Sequence, residues 1–115
     1  MAYYLAQVGY TGPSWKTQIE SPRDPFERVQ PLAQELGGRI HQMYYCFGEY
    51  DLVAIAEFPD DEAMAAFALA VGAGGATRCF ATTKLLDVQG GLSAMKRAQA
   101  AAGKYVPPVK EYART

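Results

Sequence analysis

Three strand-like segments of this chain are apolar on both of the faces that a β-strand presents. Successive side chains of a strand alternate, so in Tyr3 to Tyr10 the residues Tyr3 and Leu5 point one way, with Tyr4, Ala6, Val8 and Tyr10 opposite. In Arg39 to Phe47, Ile40, Tyr44 and Cys46 oppose Met43, Tyr45 and Phe47. In Asp51 to Phe58, Leu52, Ala54, Ala56 and Phe58 oppose Val53 and Ile55. A sheet built from such strands needs cover on each side, because contiguous exposed apolar surface is uncommon and marks interfaces.

The breaks between strands set the order of elements. Thr11, Gly12 and Pro13 end the first strand, and Ser14 can cap a short helical turn in which Trp15 and Ile19 share a side until Pro22 stops it. Asp24 as N-cap, Pro25 at the first helical position and Glu27 two further on then open a longer helix. Its Phe26, Val29, Leu32, Ala33 and Leu36 recur at helical spacing as far as Gly37 and Gly38, and Pro31 inside it predicts a kink. Only Gly48, Glu49 and Tyr50 separate the second and third strands, which demands an antiparallel hairpin with Gly48 as carrier of any positive φ.

Asp60, Asp61 and Glu62 place acceptors and negative charge at the start of another helix, whose Met64, Phe67, Ala68 and Val71 form the buried stripe. That helix fails in the run from Gly72 to Gly75, and Thr77 to Leu86 makes the fourth strand. Strand, helix, strand, strand, helix, strand is the split order of an α+β, ferredoxin-like βαββαβ fold, with both crossover helices on one sheet face. An extra, Ala-rich C-terminal helix follows from Leu92 to Gly103. The domain reading is therefore 1–90 for the ferredoxin-like part and 91–115 for the helix and Pro-containing tail.

Helices cover one face of this sheet, and a second sheet from an identical chain covers the other most simply, so the sequence predicts a homodimer through the sheet face, with higher homo-oligomers open. The rival cover is the C-terminal helix, but Leu92 and Met95 are its only large anchors. Lys and Arg number 11 against 12 Asp and Glu, a formal charge of -1, which offers nucleic acid no electrostatic footprint. No apolar run approaches the roughly 20 residues of a bilayer span, so no membrane is expected. Cys46 and Cys79 lie in apolar runs without CxxC spacing and read as reduced thiols of a cytoplasmic protein.

Gly48-Glu49-Tyr50-Asp51, followed by LVAIAEFPDDEA, resembles the signature of the GYD-domain family, and the ESPRD run, the LAQELGGRI segment and the Thr-rich last strand support the match over about residues 3 to 88. The resemblance implies a ferredoxin-like subunit that pairs sheet against sheet as a dimeric α/β barrel, with no firmly assigned biochemical role. At fold level the strands are similar also to the effector-binding domains of small regulators and to cofactor-independent monooxygenases, a likeness that transfers no activity. Gly48, Tyr50 and Asp51 carry the family motif. Gly48 permits the turn, Tyr50 can pack over a sheet edge, and Asp51 can accept backbone N–H bonds across the hairpin.

His41 is the only histidine, so no imidazole set for zinc exists and neither metal nor cofactor is expected. It remains a candidate general base, as Tyr44 is a weak catalytic candidate, because a free imidazole titrates near neutrality. Alternation places His41 with Arg39, Met43 and Tyr45. Tyr4, Trp15, His41, Tyr44, Tyr45, Arg78 and Phe80 are the ligand-binding candidates: aromatic walls with a few polar tips suit a small apolar or aromatic molecule held between sheet and helices. Glycine loops for nucleotides and a nucleophile elbow are lacking.

The favoured reading is a homodimeric small-molecule-binding domain, its enzymatic status open. The alternatives are a cofactor-independent monooxygenase acting on an aromatic or phenolic substrate, and a structural or protein-interaction dimer without a ligand. An enclosed aromatic cavity with a convergent His, Tyr or Arg favours the first two; a fully packed helix-to-sheet layer favours the last.

Overall fold

The computed structural model describes residues 1–109, which divide into two compact units, one of Met1–Leu85 and one beginning at Leu86. The first unit runs β1 (Ala2–Tyr10), α1 (Gly12–Glu20), α2 (Pro25–Glu35), β2 (Arg39–Tyr45), β3 (Leu52–Phe58), α3 (Asp61–Ala73) and β4 (Thr77–Leu85). The strands lie in the order β2-β3-β1-β4 with every neighbouring pair antiparallel, so the α+β, ferredoxin-like arrangement read from the sequence is the one formed.

The α/β barrel that the family resemblance implied is not formed. β2 and β4 are the two edges of an open sheet and do not pair with each other. Four strands spaced about 4.8 Å apart give too small a circumference to enclose side chains, for which about eight are needed.

Each helix of this unit opens on a side chain that answers a backbone donor. Asp24 Oδ1 accepts the Phe26 N–H at 2.9 Å, and Asp60 Oδ1 accepts that of Ala63 at 2.9 Å. At α1 the cap is Thr11, whose hydroxyl accepts the Ser14 N–H at 3.2 Å, and not Ser14 itself. α2 continues through Pro31, which is exposed, so the lost backbone bond faces water. The glycines with positive φ are Gly37, at 81°, and Gly75, at 80°, each just beyond a helix. Gly48, expected to carry any positive φ of the hairpin turn, is not among them.

The core lies between one sheet face and helices α2 and α3. Tyr4, Ala6, Ile40, Ala54, Ala56 and Phe58 meet Ala33, Met64 and Phe67 there, all buried. The opposite face bears Tyr3, Leu5, Gln7, Val53, Ile55, Glu57, Ala81 and Thr83, which the register places side by side. No helix of the first unit packs on this second, open face.

A β-bulge corrects the reading of the second strand. The pairing of β2 with β3 shifts between Ile40 and Gln42, so Ile40, Met43 and Tyr45 share the helix-covered face, while Gln42 and Tyr44 take the open one. Cys46 and Phe47 lie beyond the strand's end. Simple alternation had separated Ile40 from Met43 because it allows no extra residue. Gln30 of α2 answers both backbone groups of Ile40, its Oε1 accepting the N–H at 2.9 Å and its Nε2 donating to the carbonyl at 3.1 Å. The side-chain amide thus occupies part of an edge that would otherwise be open to another strand.

In the second unit α4 (Val88–Ala101) starts earlier than the predicted Leu92, because Asp87 caps it by accepting the Gly90 N–H at 2.6 Å; a 3₁₀ turn follows at Ala102–Lys104. No helix among the described residues is long and apolar enough to cross a membrane.

Candidate functional site

The family motif is a structural clasp at one end of the open face. Asp51 stands just before β3. Its backbone N–H donates to Val8 at 2.8 Å and its carbonyl accepts from Cys46 at 2.9 Å, which ties β1 to the β2 end of the hairpin. Its Oδ2 accepts the Tyr10 N–H at 2.8 Å. The β1–β4 register breaks between Gly9 and Tyr10, so the carboxylate supplies an acceptor where the ladder becomes irregular. The bond therefore reaches the central strand and does not span the hairpin itself. Arg78 lies 3.5 Å from the same oxygen and donates to the Glu49 carbonyl at 2.9 Å, fixing the motif loop from the β4 side. Gly9 makes room for this: a Cβ there would stand 2.6 Å from the Arg78 guanidinium carbon and 2.7 Å from Cys79 Sγ.

At the other end of the same face His41, Glu57 and Arg39 come together. His41 Nε2 lies 2.8 Å from Glu57 Oε1, with Arg39 Nε 3.8 Å from that oxygen. Their surroundings are restrictive, since the Glu57 side chain is 16% exposed and that of His41 24%. The Tyr3 ring packs on the imidazole with centroids 5.3 Å apart. Arg39 Nε also approaches His41 Nε2 at 3.4 Å, but one nitrogen cannot both donate to Glu57 and accept from Arg39. The carboxylate contact is shorter and an ionised carboxylate only accepts, so the proton belongs on Nε2 and Nδ1 carries the lone pair. Among the described residues Nδ1 has no hydrogen-bond partner.

Alternation alone keeps His41 on the side of Arg39, and so of Glu57 and Tyr3; the bulge turns Met43 and Tyr45, with which alternation had also grouped it, to the other face. Tyr44 sits on the same face, 60% exposed, its hydroxyl donating to Gln42 at 2.6 Å.

The remaining candidates occupy other places. Tyr4 and Phe80 belong to the helix-covered face, where Phe80 packs edge-on to Phe67 with centroids 6.5 Å apart. The interior beside Phe80, walled by Val8, Val29, Met43, Leu52 and Val71, retains a void of about 50 Å³. That is far below the roughly 300 Å³ at which small-molecule pockets begin, so this layer is packed. Trp15 joins Tyr10 and Tyr45 at a corner formed with α1, with centroids 5.3 and 6.4 Å from its own. Arg78 is in the motif clasp. The seven candidates thus do not converge on one pocket.

Tyr4 borders an open groove of about 470 Å³ between α3 and β4, floored by Met64, Ala65 and Ala68. Its hydroxyl donates to Asp61 Oδ1 at 2.6 Å, and Lys84 Nζ lies 2.9 Å from that oxygen. Burial first, and then the bond to Asp61 and the negative charges of Asp61 and Asp60, push the Tyr4 phenol up to about 12. The Tyr4 hydrogen bond, then that of Lys84, holds the Asp61 carboxyl below its ordinary value. Burial likewise raises the Tyr10 phenol.

Glu57 is the functional candidate that the sequence reading missed. As one acidic residue at the end of an apolar strand it carried no motif, and only the antiparallel register that sets Arg39 opposite Glu57 brings it to His41. Gln18 was missed too: almost buried, it accepts from Arg28 at 3.3 Å and donates to Ser14 at 3.1 Å, bridging α1 to α2. Among the described residues no group of three or more His, Cys, Asp or Glu side chains is placed to hold a metal ion.

An open antiparallel sheet with helices on one face, joined in split βαββαβ order, defines the molecule as a small ferredoxin-like α+β protein. More particularly, the chain belongs to the GYD domain family, whose model matches residues 4–95 and so spans both the clasp and the His41–Glu57 pair. Among curated proteins none matches its sequence. Three crystal structures share the fold. FFRP-DM1 is 13% identical with a TM-score of 0.54 over 75% of this chain and 100% of its own. TTHA0845 from Thermus thermophilus is 16% identical with a TM-score of 0.51, over 76% of this chain and 96% of its own. MtbAldR is 15% identical with a TM-score of 0.52, and the 75% of this chain that matches spans only 52% of that longer protein. Identities this low establish the shared fold and nothing about activity.

Proposed function

We propose that this GYD-domain protein is a small-molecule-binding module that works as a homodimer, two copies apposing their open sheet faces and holding a small, mainly apolar ligand between them. The observation that carries the reading is the make-up of that face. Leu5, Val53, Ile55 and Ala81, with Gln7 and Thr83 among them, form a mainly apolar centre, with Glu57 beside Arg39 at one end and Asp51 beside Arg78 at the other. An apolar middle with charged ends matches the core and rim of a protein interface. The packed helix-to-sheet layer holds no cavity for a ligand and by itself favours the ligand-free dimer, so the binding reading rests on the open face alone.

His41 also keeps the cofactor-independent oxygenase reading in view, because a carboxylate-oriented imidazole is a group able to act as general base toward a phenol. Native mass spectrometry of protein taken directly from cells tests the proposal. A two-chain species carrying an extra small mass is expected. Dimers that are ligand-free in every preparation, and that show no thermal shift with apolar probes, contradict ligand binding and favour a purely structural dimer. Oxygen uptake with a panel of quinols and phenols, lost in His41→Ala, would move the assignment to an oxygenase.

A further inference from the structure

We infer that the His41–Glu57 pair is a proton-accepting subsite for a weakly acidic hydroxyl compound, a phenol or an enol, whose ring lies on the open face beside Tyr3. The inference rests on the binding reading above and specifies the ligand's chemistry. Three observations support it. Glu57 holds the Nε2 proton at 2.8 Å, which fixes the tautomer and leaves the Nδ1 lone pair free. Among the described residues no protein group occupies that lone pair, so a ligand donor would reach it without breaking a bond within the protein. Tyr3, 43% exposed and packed on the imidazole, presents aromatic surface next to it, where an apolar ring can lie.

The chemistry follows the logic of carboxylate–imidazole pairs in general. When a ligand O–H donates to Nδ1, proton transfer leaves an oxyanion next to an imidazolium, and the Glu57 charge offsets the new positive charge. Arg39, 3.8 Å from the same oxygen, shares the Glu57 charge with His41. The pair therefore suits a hydroxyl already more acidic than an alcohol. In this arrangement His41 is the group that touches the ligand, and Glu57 is a positioning residue.

The test uses full-length protein with 4-nitrophenol and nitrobenzene, which differ by the hydroxyl alone, in buffer near neutral pH, with the band of free nitrophenolate subtracted. The wild type is expected to bind the phenol about tenfold more tightly than nitrobenzene and to show the yellow phenolate band on binding. His41→Phe, which keeps a ring against Tyr3, should retain nitrobenzene binding while losing both the preference and the band. Glu57→Gln should retain binding of the phenol and lose most of the band. Equal affinities for the two probes without a phenolate band would overturn the inference and leave the binding module standing. A folded protein that binds neither probe would overturn both.

Discussion

The Asp51 carboxylate accepts the backbone N–H of Tyr10 at 2.8 Å, joining the family's signature residue to the central strand at the point where that strand's pairing with β4 slips. The same oxygen lies 3.5 Å from Arg78, so a single carboxylate supports a backbone group and a guanidinium together. These two contacts account for an aspartate at this position without any ligand.

Asp51→Ala leaves the Tyr10 N–H without its acceptor and Arg78 without its carboxylate partner, and is expected to destabilise the first unit by about 1–3 kcal/mol in urea unfolding. Asp51→Asn keeps an acceptor and should cost less. Hydrogen exchange at the Tyr10 amide should accelerate in the alanine variant more than at amides of β2, and unchanged exchange there would contradict the clasp.

Gly9→Ala should also be costly, for a reason unconnected with backbone freedom. The new methyl carbon would stand 2.6 Å from the Arg78 guanidinium and 2.7 Å from Cys79 Sγ, so Arg78 must leave Glu49 and Asp51. A loss of about 1–3 kcal/mol is expected. In the Gly9→Ala, Arg78→Ala double variant the costs should sum to less than the two singles, since Arg78 is the main obstacle; strict additivity would count against this account.

Stability at alkaline pH should report on Tyr4. Its phenol is raised to about 12 from an ordinary value near 10, so the folded chain holds this proton more tightly than the unfolded chain does. The contribution is whole below pH 10 and is lost as pH rises towards 12. Tyr4→Phe should make the decline between those values shallower without abolishing it, because burial raises Tyr10 in the same sense. Asp61, held below its ordinary value, acts oppositely: its contribution is present above the usual carboxylate range and lost as pH falls through its folded value. Denaturant melts of both proteins across the two pH ranges check each sign.

Element order was legible because each break in the chain had local chemistry: Asp24 with Pro25, Asp60 before an apolar stripe, Pro22 after α1, and the glycine pairs Gly37-Gly38 after α2 and Gly74-Gly75 after α3. The two apolar faces were legible by alternation wherever the ladder is regular, as along β1 and β3. What alternation cannot register is an inserted residue. The bulge at His41 has no signature in RIHQMYY, yet it decides that Met43 and Tyr45 join Ile40 on the core face and leave Arg39 and His41 on the other. The pairing of His41 with Glu57 is a contact between residues 16 apart in the chain, and it depends on register. For the same reason the seven aromatic and polar candidates read as one pocket in sequence and occupy separate places in the fold.

The central claim is that the open face, with Leu5, Val53 and Ile55 at its middle, is covered by a second copy. Sedimentation equilibrium of the wild type and of Ile55→Glu at micromolar concentration tests it most directly. The account predicts twice the chain mass for the wild type and a folded species of single-chain mass for the variant, which places a charge on each apposed sheet. A wild type that sediments as one chain, or an Ile55→Glu variant that pairs as tightly as the wild type, would contradict it.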